Sequence, residues 1–105
     1  MAIKTNIKTS IKKFCKAVEN RGFPLDKVII FGSYTRGKKK YNDIDLALFS
    51  KKFGKDRTEE LMFLSKMATM INPLLEAHPF NTSELNDKYS TLLAEVKKGQ
   101  ALKFI

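Results

Sequence analysis

Two acidic residues at the start of an otherwise apolar segment constrain the fold of this chain more than any other feature. Asp43 and Asp45 begin the segment 43–49, and all the remaining residues of this segment are apolar. Side chains two residues apart in a strand point to the same face of a sheet, so these carboxylates can bind one cation between them. Acids in a strand that fills a core are costly to desolvate unless a metal ion or a basic group compensates their charge. The pattern therefore predicts a sheet in which this pair serves a chemical purpose.

A glycine and a serine follow the preceding predicted strand, 27–31. Gly32 permits a close approach to the backbone, and Ser33 adds a hydroxyl donor. The pair begins a predicted helical turn, whose unpaired N–H groups and positive dipole end suit a phosphate. If the two strands are neighbours, a nucleoside triphosphate can place its phosphates on this turn while Asp43 and Asp45 hold Mg²⁺.

The first half of the chain also predicts two helices. Apolar residues at helical spacing, with lysines between them, indicate an amphipathic first helix that ends at Gly22 and Pro24. A second helix is predicted over 57–71, with Asp56 as its cap. A neighbouring face that is rich in methionine widens the apolar stripe of this helix. Most of this second helix is expected in the core, and its surplus apolar face is a candidate partner surface.

The second half predicts one more strand and one more helix. The strand is expected over 73–78 and is closed by Pro79. Asn81 and Glu84 have the spacing of a capping box, so they are predicted to begin a last helix that ends at Gly99. The inner face of that helix is predicted to carry Leu85, Tyr89, Leu92 and Val96. The residues after it are a candidate edge strand.

Length and composition limit the kinds of protein this chain can be. It has 105 residues, of which 43% are apolar, and this length allows one domain, expected over 1–105, with a packed core. Its single cysteine, Cys15, excludes an internal disulfide framework and a multi-cysteine zinc site. We find no signal-peptide pattern, and no apolar run reaches the ~18 residues of a membrane span. We therefore expect a cytoplasmic protein without membrane contact.

The positive charge is concentrated in the first two fifths of the chain. The whole net charge of +9 lies in 1–40, whereas 41–105 carries as many acidic as basic residues. Such an excess is typical of a solvated face or of an anionic partner: nucleotide phosphate, nucleic acid or an acidic protein surface. Aromatic residues do not alternate with the basic ones as base-stacking platforms would, which disfavours nucleic acid as a direct ligand.

The spacing of the two short motifs resembles the signature of the DNA polymerase beta-type nucleotidyltransferase superfamily. In that superfamily a Gly-Ser pair ends one strand, about nine residues follow, and Asp-x-Asp begins the next strand; here Gly32-Ser33 is followed by nine residues and Asp43-Ile44-Asp45. The wider string is most similar to the small prokaryotic minimal nucleotidyltransferases, which usually read Gly-Ser-x-Ala-Arg-Gly and Ser-Asp-Ile-Asp-Leu. Thr35 replaces the usual alanine and Asn42 the usual serine, and neither change removes a metal ligand.

The resemblance implies further site residues. The family uses a third carboxylate on the following strand, and Glu76 is the one candidate in position; it would complete the metal site and take the proton of the incoming hydroxyl. The alternative is an edge-strand glutamate that faces water. His78 shares the strand face of Glu76, but a lone histidine before a proline is typical of a strand-end surface residue. Arg36 is expected either on the triphosphate or in a structural ion pair. The implied catalytic and metal-binding residues are Asp43, Asp45 and Glu76, and the implied nucleotide-binding residues are Gly32, Ser33 and Arg36.

The resemblance also implies a fold and an activity. The fold class is α/β (α+β in some schemes), a small mixed sheet that carries the metal site, with helices packed on one face. The activity is Mg²⁺-dependent transfer of a nucleoside monophosphate, AMP from ATP, onto a hydroxyl. We expect another chain to hold the acceptor, either a second copy or a HEPN-type RNase toxin whose tyrosine is adenylylated, which makes this chain an antitoxin. Two alternatives stay open: a non-catalytic antitoxin that masks its partner, and a basic nucleic-acid-binding domain.

Overall fold

A four-stranded mixed sheet lies at the centre of the structure, a computed structural model that describes residues 3–32, 34 and 43–102. The elements in chain order are α1 (Thr5–Asn20), β1 (Lys27–Phe31), β2 (Ile44–Phe49), α2 (Arg57–Ile71), β3 (Leu75–Phe80), a 3₁₀ helix (Thr82–Asn86), α3 (Thr91–Lys97) and β4 (Gln100–Ala101). The strand order is β3-β2-β1-β4. β1 is antiparallel to both β2 and β4, and β2 is parallel to β3.

The register of the sheet places the acidic strand at its centre. Asp45 on β2 is opposite Phe31, the last residue of β1, and also opposite Glu76 on β3. The end of β1 and the beginnings of β2 and β3 therefore meet at one end of the sheet. The short β4 pairs with β1 at Ile29 and Ile30, which confirms the candidate edge strand near the C-terminus.

Helices cover the two faces of the sheet to different extents. α1 and α2 pack on one face, where their apolar side chains join alternate residues of β1, β2 and β3 in the larger core cluster. α3 packs on the other face, where Leu93 and Val96 join Ile29, Phe49 and Phe80 in a second cluster. None of the helices in the described ranges is both long enough and apolar enough to cross a membrane.

The acidic residues lie on the face that α3 covers only in part. Asp45 alternates with Ile44 and Leu46, both of which are buried in the cluster with α1 and α2, so its side chain points to the opposite face. Glu76 alternates in the same way with Leu75 and Ala77. The predicted α+β fold is thus confirmed, with both long helices on the face opposite the acids; α3 is a short additional helix on the acidic face.

Several predicted boundaries agree with the structure. β1 and α2 have the predicted limits, and the Asp56 side chain accepts a hydrogen bond from the backbone N–H of Glu59 at 3.1 Å, as expected of a helix cap. The single cysteine, Cys15, is buried in α1. Its burial, and to a lesser extent the charge of Glu19, raises the pKa of the Cys15 thiol to about 12. The thiol is therefore a core residue rather than a nucleophile.

The end predicted for the third strand is wrong. β3 runs over Leu75–Phe80, so it continues through Pro79 instead of ending before it. Proline lacks the N–H that a central strand needs, but β3 lies at the edge of the sheet, where one missing donor is tolerated. The edge position, which is a property of the tertiary structure, therefore decides how far the strand extends.

The prediction for the last helix is also wrong in part. The capping box at Asn81 and Glu84 is present, but it begins the 3₁₀ helix rather than a long α-helix. The Asp87 carboxylate then accepts hydrogen bonds from the N–H groups of Tyr89 and Ser90 at 2.8 and 3.3 Å, and this turn ends the first helical segment.

The same turn shifts the helical phase. α3 starts anew after Ser90, whose side chain is its cap. Leu93 and Val96 are the buried residues of α3, whereas Tyr89 is 96% exposed and Leu92 is also exposed. The predicted inner face is therefore correct at Val96 and wrong at Tyr89 and Leu92.

Candidate active site

Parallel pairing of β2 and β3 brings three potential metal ligands together. Asp45 is opposite Glu76, and His78 lies two residues further along β3 on the same face. One ligand atom from each side chain lies within 4.8 Å of the other two. The sequence predicted Asp45 and Glu76 at one site, and the structure brings them together.

His78 contributes to this cluster. Its Nε2 atom lies 3.3 Å from Oδ1 of Asp45 and 4.0 Å from Oε1 of Glu76. The imidazole is half-buried and lies 5.4 Å from the ring of Phe31, centroid to centroid. The interpretation of His78 as a strand-end surface residue is therefore wrong. The two-residue period that it shares with Glu76 was the signal that could have found it.

Glu76 lies in an unfavourable electrostatic environment. Its pKa is raised, first because partial burial penalises the charged form, and further because the carboxylates of Asp43 and Asp45 are near and Asp43 is hydrogen-bonded to it. His78 acts in the opposite direction and lowers this pKa. The Asp43 side chain, which is exposed, therefore also belongs to the site. Three carboxylates at one end of the sheet are an arrangement that a cation would stabilise.

Gly32 is packed against the same acids. Its backbone has a φ of +82°, and a Cβ placed there would collide with Oδ2 of Asp45. Only glycine adopts this conformation without strain and leaves room for the carboxylate. The backbone at the end of β1 therefore lies beside the acidic cluster, as the motif predicted for the phosphate-binding turn.

Some predicted residues fall outside the described part of the chain. These are Ser33, Arg36, the lysines 38–40 and Asn42. Their predicted roles in nucleotide binding stay predictions. The described portion of the motif comprises Gly32 on one strand end and Asp43 with Asp45 on the next.

The assembled donor set can hold a divalent cation. Carboxylate oxygens are the ligands that Mg²⁺ and Mn²⁺ prefer, and an imidazole nitrogen is a further possible ligand. The cluster lies at the end of the sheet, where the Asp45 carboxylate packs against the backbone of Gly32. Such an arrangement can position a charged substrate and neutralise negative charge that develops on it.

Comparison with known protein families decides the assignment. The sequence profile of the family described as Polymerase beta, Nucleotidyltransferase matches residues 9–103, which is most of the chain. This chain belongs to the polymerase beta nucleotidyltransferase family. The nucleotidyltransferase domain thus spans all the elements described above except the first turn of α1, and its acidic motif lies at the start of β2, with Asp43 directly before the strand.

Comparison with solved structures supports the fold of this nucleotidyltransferase. The domain is similar to a Sulfolobus solfataricus protein, provisionally described as a nucleotidyltransferase, whose crystal structure was determined at 1.40 Å resolution. The TM-score is 0.54 at 22% sequence identity, and the match covers 95% of this chain and 87% of the other. No curated protein sequence shows significant similarity to the nucleotidyltransferase domain. The structural match establishes the fold alone, and the catalytic roles of Asp43, Asp45 and Glu76 stay predictions.

Proposed function

We propose that this nucleotidyltransferase domain transfers AMP from ATP to a hydroxyl group, with release of pyrophosphate. The observation that carries the proposal is that Asp45 and Glu76 lie within reach of one ion at the end of the sheet, with Asp45 against Gly32 and Asp43 close to Glu76. In the reaction, the acceptor oxygen forms a bond to the α-phosphorus of ATP, and the bond from that phosphorus to the β-phosphate bridging oxygen breaks. The hydroxyl proton passes to a carboxylate oxygen of Glu76, and pyrophosphate leaves with the electron pair.

The three carboxylates fit a divalent cation. We propose that it is Mg²⁺, as the resemblance to the nucleotidyltransferase superfamily implies. Partial burial, and then the nearby charges of Asp43 and Asp45, raises the pKa of Glu76, so a positive ion between the acids would stabilise their charged forms. Asp43, Asp45 and Glu76 would hold the ion, which when bound would offset phosphate charge and make the acceptor hydroxyl more acidic. Gly32 would let the phosphates lie close to the backbone, while Ser33 and Arg36 would donate hydrogen bonds to them.

The acceptor, in our proposal, is a tyrosine hydroxyl on a second protein, a HEPN-type RNase toxin, and the domain acts as its antitoxin. Two methionines on α2 support a partner surface, since Met62 is 68% exposed and Met70 is 85% exposed. A second copy of this chain is the alternative acceptor. We do not propose nucleic acid as a direct ligand.

The position of these methionines also favours one second candidate function. α2 packs on the face of the sheet opposite Asp45. A partner bound to this helix would be held away from the acids, so it could be masked without being modified. The domain would then be a non-catalytic antitoxin.

The deciding experiment follows the transfer of the label from ATP that is labelled at the α-phosphate. The protein is incubated with this ATP, with Mg²⁺ or Mn²⁺, and with a HEPN-type RNase from a neighbouring gene or a protein that co-purifies with it. We expect labelling of the partner by the wild type and none by the double variant Asp43→Asn/Asp45→Asn. The control Asp87→Asn/Glu95→Gln, which removes two acids outside the site, should label the partner normally.

Two results would contradict the enzymatic proposal in different ways. If the Asp43→Asn/Asp45→Asn variant neutralises the RNase as well as wild type, the non-catalytic function is correct. If neither the partner nor the chain itself is labelled with either cation, the proposed transfer is wrong.

A further inference from the structure

We propose that His78 is a metal ligand and that, with Asp45 and Glu76, it makes a mixed nitrogen–oxygen site selective for a divalent first-row transition ion over Mg²⁺. This inference rests on the metal site of the proposed function, where it places such an ion in preference to the Mg²⁺ that the resemblance implies, but it does not rest on the transfer reaction. The resemblance supplies only the carboxylates. His78 lies outside the motif that carries the resemblance.

The separations of the ligand atoms suit one ion. A metal ion bound at about 2.0–2.2 Å in tetrahedral or octahedral geometry places neighbouring ligand atoms roughly 3.0–3.5 Å apart. Nε2 of His78 is already 3.3 Å from Oδ1 of Asp45. Oε1 of Glu76 is 4.0 Å from the same nitrogen, and the Glu76 side chain is half exposed, so a small rotation brings it to the same range.

The fold fixes the direction of the imidazole. His78 lies on β3 diagonally across from Asp45, and its ring packs 5.4 Å from the ring of Phe31 on β1. Between them β2 presents Ala47, whose small side chain leaves room for the two rings to approach. The ring is thereby held with Nε2 toward the carboxylates rather than toward solvent.

The kind of donor atom decides the preferred ion. Mg²⁺ keeps an octahedral shell of oxygen atoms and dehydrates reluctantly, whereas imidazole suits the later first-row transition ions. Mn²⁺ accepts oxygen ligands as Mg²⁺ does, so a preference for Mn²⁺ over Mg²⁺ is informative only where it depends on the imidazole. The nitrogen of His78 should raise the affinity for Mn²⁺ relative to that for Mg²⁺, and removal of the imidazole should lower this ratio.

The competing interpretation is a positioning role. In that case Nε2–H donates a hydrogen bond to Asp45 and never contacts the ion. Two substitutions separate these roles. His78→Gln keeps an amide donor near the position of Nε2 but removes the imidazole, and His78→Phe keeps a ring against Phe31 but removes both nitrogens.

The direct test uses pulsed electron paramagnetic resonance of Mn²⁺ bound to the protein without nucleotide, in a nitrogen-free buffer. The chain contains one histidine, so biosynthetic labelling with ¹⁵N-histidine labels His78 alone once any purification tag is removed. We expect ¹⁴N coupling to Mn²⁺ in unlabelled protein that changes to the ¹⁵N pattern after labelling. The absence of nitrogen coupling, or a coupling that the label leaves unchanged, would overturn the inference even if both variants failed to fold.

Calorimetric titration with Mn²⁺ and Mg²⁺ supplies the second readout. His78→Gln and His78→Phe should both weaken Mn²⁺ binding by at least the roughly 10–100-fold that loss of an outer-shell partner costs, with a much smaller effect on Mg²⁺ binding. If the variants weaken the binding of both ions equally, His78 has a positioning role instead. The same holds if His78→Gln keeps the full affinity for Mn²⁺. ATP-dependent labelling with Mg²⁺ and no nitrogen coupling would leave the proposed function intact. Nitrogen coupling without any labelling would contradict only the transfer.

Discussion

Two glutamates, one on α2 and one on β3, differ in how their charge is compensated. Glu60, in the first turn of α2, is buried, yet its carboxylate accepts hydrogen bonds from the backbone N–H groups of Gly54, Lys55 and Asp56 at 2.9–3.3 Å. Glu76, on β3, is 51% exposed and lies beside other carboxylates. The more buried acid is thus the better compensated one.

This difference separates a structural acid from a candidate functional one. Backbone N–H groups around Glu60 satisfy its lone pairs and order the loop before α2. The neighbours of Glu76 add negative charge, and His78 compensates them only in part. Burial alone would have selected Glu60. The balance of nearby charge selects Glu76.

The largest expected effect is the loss of transfer activity when Glu76 is neutralised. Glu76→Gln would remove the proposed proton acceptor and one proposed metal ligand, so nucleotidyl transfer should fall about 10²–10⁴-fold with the fold intact. The measurement is the rate of pyrophosphate release, with circular dichroism to check folding. Glu95→Gln is a matched control, because Glu95 on α3 is also 51% exposed. If the activity of Glu76→Gln is within twofold of wild type, Glu76 is not a functional acid and its contrast with Glu60 fails.

The next largest effect is on stability and concerns the compensated acid. Glu60→Gln replaces an acceptor oxygen with an amide that faces backbone donors, so the free energy of unfolding should fall by about 1–3 kcal/mol. Urea denaturation measures this difference. The exposed neighbour Glu59, in the same helical turn, is the control, and Glu59→Gln should cost no more than about 0.5 kcal/mol. Equal losses in the two variants would show that the hydrogen bonds to Glu60 do not stabilise the loop.

A third prediction tests the contact between Gly32 and the crowded acids. Gly32→Ala places a side chain at positive φ, which costs about 1–2 kcal/mol, and also pushes the Asp45 carboxylate from its position. Gly22 has a similar positive φ, but a Cβ there has open space. Gly22→Ala should therefore show the conformational cost alone. Gly32→Ala should lose more unfolding free energy than Gly22→Ala and also bind Mn²⁺ more weakly; equal stability losses would contradict the packing argument.

The smallest effect is a pH dependence of stability in metal-free protein. The folded-state pKa of Glu76 is raised, so the folded protein binds a proton more readily than the unfolded chain does, and stability should fall as pH rises through that range. Glu76→Gln removes this dependence. Its stability relative to wild type should increase between about pH 4 and pH 7, by no more than ~0.5 kcal/mol because the side chain is half exposed. Thermal unfolding at both pH values measures the change. If Glu76→Gln instead loses stability relative to wild type between pH 4 and pH 7, the assigned sign is wrong.

Local patterns predicted much of this fold. The limits of α2 follow from the Asp56 cap and the apolar stripe, and the limits of β1 follow from an apolar run bounded by turn residues. These signals act between residues close in sequence, so they can be recognised without knowledge of the tertiary structure. The phase of α3 was not predictable in this way, because the turn at Asp87 interrupts a pattern that otherwise continues.

The amino-acid sequence alone predicts the family motif, a shared direction for Asp43 and Asp45, and the candidacy of Glu76. These depend on spacing along the chain, which the two-residue period of a strand converts directly into a shared direction. The position of His78 beside these acids comes from the fold, because its contact with Asp45 depends on the parallel register of β2 and β3 and on the ring of Phe31. Register between strands distant in sequence is set by packing, and a single sequence does not state it.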